Sequence, residues 1–219
     1  TDAPDANVDT LDLASSGYTL TLTGNVTPLT IETSATFTVG TNSKIKFAPA
    51  AATGVTVPAA TYHDIEFDKA SNTFTLGGLL DVDGTLTITS GTLATGGNGI
   101  DVFESFTNSG IFTHGSGTVT FNGTSGSHTF NPGASAFNAV VINGNGAAYT
   151  LTTSNLSAAS LTATAGTLDL AALDLALTGN LLVNGGILTG SNAACDIDVD
   201  GNVTVSSGTL TAPAAADDT

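Results

Sequence analysis

The sequence predicts an all-β chain wound as a parallel β-solenoid of about eleven coils, each about 19–22 residues long. Three observations lead there. Threonine is the commonest residue and glycine occurs 26 times, while methionine and tryptophan are absent; β-branched side chains suit pleated strands, and glycine suits the turns between them. Short stretches alternate apolar residues with threonine, the pattern of a half-buried strand. The same stretches then recur at spacings of one or three coil lengths.

Strands are read in order from this alternation. YTLTLTG places Tyr18, Leu20 and Leu22 on one face, and GTLTITSGTL places Leu86 and Ile88 opposite Thr85, Thr87 and Thr89. TVTFNG does the same with Val119 and Phe121, and NVTVSSG with Val203 and Val205. Tyr18, Tyr62 and Tyr149 are all spaced as core-facing strand positions. Ser-Gly, Asn-Gly, Gly-Asn and Gly-Gly pairs end the strands in tight turns that need positive φ. The nearest approach to a helical pattern, LDLAALDLALTG, reads as two strands with a kink at Ala171 and Ala172.

Repeats fix the coil length. DVDGTLTITSGTL at 81–93 returns as DVDGNVTVSSGTL at 198–210 with nine of thirteen positions identical, and SAASLTATAGTL at 157–168 is a weaker copy. GNLLVNGGILTG at 179–190 matches GNVTVSSGTLTA at 201–212, a step of 22 residues. Marker residues Phe37, Leu93, Phe112, Leu168, Leu188 and Leu210 are separated by one step or by about three. A longer unit of about 75 residues pairs Phe47 with Phe121, Pro58 with Pro132 and Tyr62 with Phe137. The chain thus reads as a single domain over 1–219, with repeats at about 43–116 and 117–192 and partial copies at 10–42 and 193–213. Two tandem β-sandwiches are the second reading, disfavoured because sandwich strands need not resemble their neighbours.

GTVTFNG, HTF and FNAVVING, then LTATAGTLDL and GNLLVNGGILTG, resemble the β-strand-repeat segments of large bacterial surface proteins. They are similar in style to autotransporter passengers and filamentous-haemagglutinin-type adhesins. The resemblance spans roughly Leu11 to Ala212 and implies an exported, fibrous, right-handed β-helix with a structural or adhesive role.

Charge narrows the functional classes. There is no arginine; Lys44, Lys46 and Lys69 are the only lysines, and the net charge is −16. Nucleic acid is not an expected partner, because no basic patch exists to hold phosphates. No membrane span is expected either, since the most apolar stretch carries Asp169 and Asp174 and breaks at Gly179. Cys195 is the sole cysteine, so no intrachain disulfide forms.

No enzyme is expected. Lyase chemistry on acidic glycans needs cations and a base. Glu66, Glu104, Asp101 and Asp174 show no convergent spacing for glycoside hydrolysis. His63, His114 and His128 stand singly. The one metal candidate is Asp196, Asp198 and Asp200 in DIDVDGN, a calcium-type acidic run with Gly201 at the sixth place of an EF-hand-like loop. Ser207 occupies the twelfth place, where a glutamate is required. Asp81 and Asp83 echo it, and no other cofactor is indicated. Thr19/Thr21, Thr85/Thr87, Thr118/Thr120 and Thr150/Thr152 raise ice binding, but Asp, Asn, Ser and Ala interrupt the series. Asn25, Asn122, Asn155 and Asn202 lie in glycosylation sequons.

The functional expectation is a structural subunit or segment of an extracellular or cell-surface filament. It self-associates end to end through open solenoid ends, or stacks on flanking repeats. An adhesin-type module that recognises a glycan along one side is the alternative. The starting stretch TDAPDANVDT fits a processed or excised segment, and both it and TAPAAADDT read as too short to cap an open end.

Overall fold

Alternating stretches that recur about every twenty residues can satisfy their backbone groups only on the neighbouring copy, and every strand pairing among the described residues is accordingly parallel. A computed structural model describes residues 10–13, 17–32, 35–190 and 195–211. The terminal stretches, apart from Thr10 and Thr211, lie outside the described residues.

The first turn takes β1 (Thr10–Leu13) and β2 (Thr19–Leu22), and the second takes β3 (Thr36–Val39), β4 (Lys44–Phe47) and β5 (Val55–Val57). The third and fourth take β6 (Ala60–Tyr62) with β7 (Asp64–Leu76), then β8 (Leu80–Val82) with β9 (Leu86–Ala94). The fifth holds β10 (Ile100–Val102), β11 (Phe106–Asn108) and β12 (Ile111–Thr113). β13 (Thr118–Phe121), β14 (Gly126–Asn131), β15 (Ala136–Leu151) and β16 (Leu156–Asp169) wind onward, the last two turning corners within one strand. β17 (Leu175–Leu177), β18 (Leu181–Thr189), β19 (Ile197–Val199) and β20 (Val203–Thr211) complete the described rod.

The strands stack into three sides. Side one runs from β6 through β8, β10 and β13 to the first parts of β18 and β20; side two runs from β2 and β4 through β11 to the second parts of those strands. Side three contains β5, β12, β17 and β19. β1 and β3 form a two-stranded sheet of their own, joined to side one where Phe37 meets Tyr62 at 5.6 Å.

The solenoid has about nine turns, where eleven were expected. Two causes are visible. Leu11 pairs with Phe37 and Thr19 with Lys44, so the first turn takes 26 and 25 residues, and Phe106 pairs with Phe130 across 24. Both chain ends also lie outside the described turns. The kink at Ala171 is present, with φ of 53° between β16 and β17. The sandwich alternative has no place in a continuous parallel ladder.

Copies of a motif do not always share a side. GNLLVNGGILTG and its partner 22 residues on are ladder neighbours, Leu181 on Val203 and Leu188 on Leu210. DVDGTLTITSGTL and DVDGNVTVSSGTL are not. From Val82 the ladder leads through Val102, Phe121, Ile142, Ala163 and Val183 to Val205, whereas Val82 corresponds in sequence to Val199 on side three. The longer unit behaves alike, pairing Phe47 of side two with Phe121 of side one. Each motif encodes a strand, a corner and a strand, and any two adjoining sides accept it.

Inward columns fill the rod. Phe106, Phe112, Phe121, Phe130, Phe137 and Tyr149 make its middle aromatic, and Leu151, Leu161, Leu168, Leu175 and Leu188 make the later turns aliphatic. Two of the polar side chains inside are paired at corners. Asn108, buried, donates to the Pro132 carbonyl at 2.9 Å and accepts from Gly110 N at 3.0 Å, while Tyr149 OH donates to Phe103 O and accepts from Gly123 N, both at 2.8 Å.

Candidate functional site

The outward positions of side two hold Lys44 and Lys46, and Lys69 lies at the corner that follows. Stacking β4 beside β7 sets Lys46 opposite Glu66, and Lys46 Nζ lies 2.9 Å from Glu66 Oε1 and 2.6 Å from Asp68 Oδ2. Lys44 Nζ reaches Glu66 Oε2 at 3.2 Å, and Lys69 donates to the Ala50 carbonyl at 2.9 Å. All three ammonium groups are thus committed within the chain. Hydrogen bonds to Asp68 and then Glu66 raise Lys46; bonds from Lys46 and Ser90 lower Asp68. Burial pushes Glu66 upward, but Lys46 and Lys44 outweigh it and the net direction is down.

Side one carries acids instead. Asp81 and Asp101 are ladder partners at outward positions, and Thr61 donates to Asp81 at 2.9 Å. Burial lifts the Asp101 carboxyl above its ordinary 3.8, with the Asp81 charge adding to it against a hydrogen bond from Thr120. Burial and Asp81 likewise raise Asp83, and His63 opposes them. A raised carboxyl works against the folded state when ionised, and the penalty is relieved as the pH falls through its folded value. Asp101→Asn is therefore expected to raise the melting temperature at neutral pH and to leave it unchanged in acid; equal effects at both would refute the assignment.

Asp83, Glu104 and His128 line one shallow recess where side one turns into side two, with Phe103, Gly123, Thr124 and Ser125. Sequence spacing did not reveal this grouping, because the three come from successive turns. His128 Nε2 is engaged with the Ser125 carbonyl at 2.9 Å. His63 lies 3.3 Å from Asp64, and His114 Nδ1 accepts from Ser116 N at 3.1 Å, so the three histidines remain apart. Asp174 is taken up by Asn155 Nδ2 at 2.8 Å and Asp196 N at 2.9 Å. Asp196, Asp198 and Asp200 are all exposed around β19. Alternate residues of an extended strand lie roughly 6.6 Å apart, too far for three carboxylates on one strand to share bonds of about 2.3–2.6 Å to one calcium ion. Among the described residues no group of three or more His, Cys, Asp or Glu is placed to hold a metal ion.

Thr19/Thr21, Thr85/Thr87 and Thr150/Thr152 fall on side two and Thr118/Thr120 on side one. Lys46 and Glu66 follow Thr21 in its ladder, and Asp169 follows Thr150, so these pairs do not join into one array. Cys195 is buried, and burial together with Asp174, Asp196 and Asp169 raises its thiol.

Among the described residues, inward-column positions are left exposed at the two ends. β20 pairs, among the described residues, only with β18, and its inward Val203 and Val205 are 51% and 49% exposed. At the other end Tyr18 is 61% exposed, Val26 56% and Leu11 38%. Tyr62 and Tyr149 are core residues as expected; Tyr18 is not, because no described turn lies over it. No protein-family model, curated protein or solved structure matches the chain. No helix among the described residues is long and apolar enough to cross a membrane.

Proposed function

We propose that the chain is a structural segment of an extracellular fibre, a stiff spacer that grows by stacking end to end. The observation that carries this reading is the half-exposed inward column at β20. Open parallel edges with apolar flanks recruit further strands, and repeat arrays need a polar terminal unit to stay apart. The acidic sides oppose lateral clumping, since the net charge is −16. The resemblance of the motifs to exported surface repeats, with few lysines, supports the extracellular setting. A glycan-binding side is supported less, because Tyr18 is the one exposed aromatic among the described residues.

Light scattering against concentration and salt tests the proposal. Mass is expected to rise with concentration, and more steeply as salt screens the acidic charge over about 10 Å at 0.1 M. A monomer under all those conditions would refute it.

A further inference from the structure

We infer that the β20 end is covered by β1 and β2 of a second copy, one winding further along the same axis, with Leu11 resting on Val205 and Tyr18 on Leu210. This names the partner surface for the end-to-end reading and rests on it.

The molecule contains its own precedent for what covers this end. Residues 198–210 nearly duplicate 81–93, where Val82, Leu86, Ile88 and Leu93 are fully buried. They are buried because Val102, Phe106, Asn108 and Phe112 of the next turn lie on them. The corresponding Val199, Val203, Val205 and Leu210 are half-buried or exposed. The same surface is thus met elsewhere in this chain by a parallel turn.

The other end supplies such a turn. Among the described residues β1 pairs with β3 and β2 with β4, so a further parallel strand of the correct polarity would join each at its other edge. Column continuity sets the register. The Val205 column descends to Tyr62, which packs on Phe37, the ladder partner of Leu11. The Leu210 column descends through Leu188, Leu168 and Tyr149 to His128, and at the first turn that position is Tyr18. Translation of a copy then brings Leu11 over Val205 and Tyr18 over Leu210.

Seven residues separate Leu11 from Tyr18 and five separate Val205 from Leu210. The chain already absorbs a difference of two at such a corner. Val140 to Tyr149 stacks on Leu161 to Leu168, with register shifts around Asn143 and Ala148. The outward neighbours would be Thr19 on Thr211, which brings no like charges together.

Oxidative cross-linking tests the junction. In the double variant Thr19→Cys/Thr211→Cys, neighbouring strands about 4.8 Å apart fall within disulfide reach. A ladder of covalent multiples is expected on oxidation. Thr19→Cys/Thr204→Cys, whose positions lie on different sides, should give none, and buried Cys195 is common to both. If the unaltered chain grows in light scattering but the first variant forms no ladder, this junction is wrong and the fibre reading survives. If the chain never grows, both fall.

Discussion

Phe106→Ala is expected to destabilise the rod by about 3–5 kcal/mol, the usual cost of emptying a buried aromatic site. Its ring is fully buried and touches every side of the prism: Phe112 at 5.9 Å, Phe121 at 6.4 Å, Phe130 at 5.6 Å and Phe137 at 5.7 Å. Such aromatic pairs add about 0.5–1.5 kcal/mol each beyond area burial. The loss falls in the fifth turn, and in a stacked array each turn contacts only its neighbours. Denaturant unfolding is therefore expected to shift to lower midpoint and to split, with the aliphatic turns after Leu151 outlasting the centre. A variant that unfolds in one transition at the parental midpoint would contradict the shared aromatic centre.

Gly166→Ala is the second large effect. Gly166 turns the corner between sides one and two at φ of +74°, and a Cβ there would press on the Gly144 carbonyl oxygen of the previous turn, with the Ala147 carbonyl at 2.8 Å. The left-handed conformation costs an L-residue about 1–2 kcal/mol, and forced overpacking adds about 1–3 kcal/mol. Gly17 separates the two terms. Its φ is +69° but nothing lies within 4 Å of the added carbon, so Gly17→Ala is expected to show the conformational cost alone. Equal melting temperatures for the two variants would mean that the turns do not approach so closely at the corner.

Particular residues show what sequence could and could not convey. Leu86 and Ile88 alternate with threonine and are buried as that alternation requires, and the break at Ala171 falls where the alternation of Leu168 and Leu170 changes phase to that of Leu173, Leu175 and Leu177. Those signals are local, because strand and corner are each decided within a few residues. Sidedness is not local. Of the markers, Leu93 and Phe112 stack, as do Leu168, Leu188 and Leu210, but the intervals of three coil lengths join different sides. A corner motif carries no mark of which side it starts from, so turn number and the long unit could not be fixed from spacing. The Asp83, Glu104 and His128 recess was hidden for the same reason. Lys46 and Glu66 were each visible, but their pairing depends on an exact 20-residue turn.

Because a corner motif fits any adjoining pair of sides, a genetic duplication that slips by a third of a revolution still delivers its aliphatic groups indoors. Rod length can then drift in increments smaller than a full winding without a new core having to be invented. What such drift alters is the compass bearing of whatever sits outside, so acids or hydroxyls can be redistributed around the shaft while its interior stays dry.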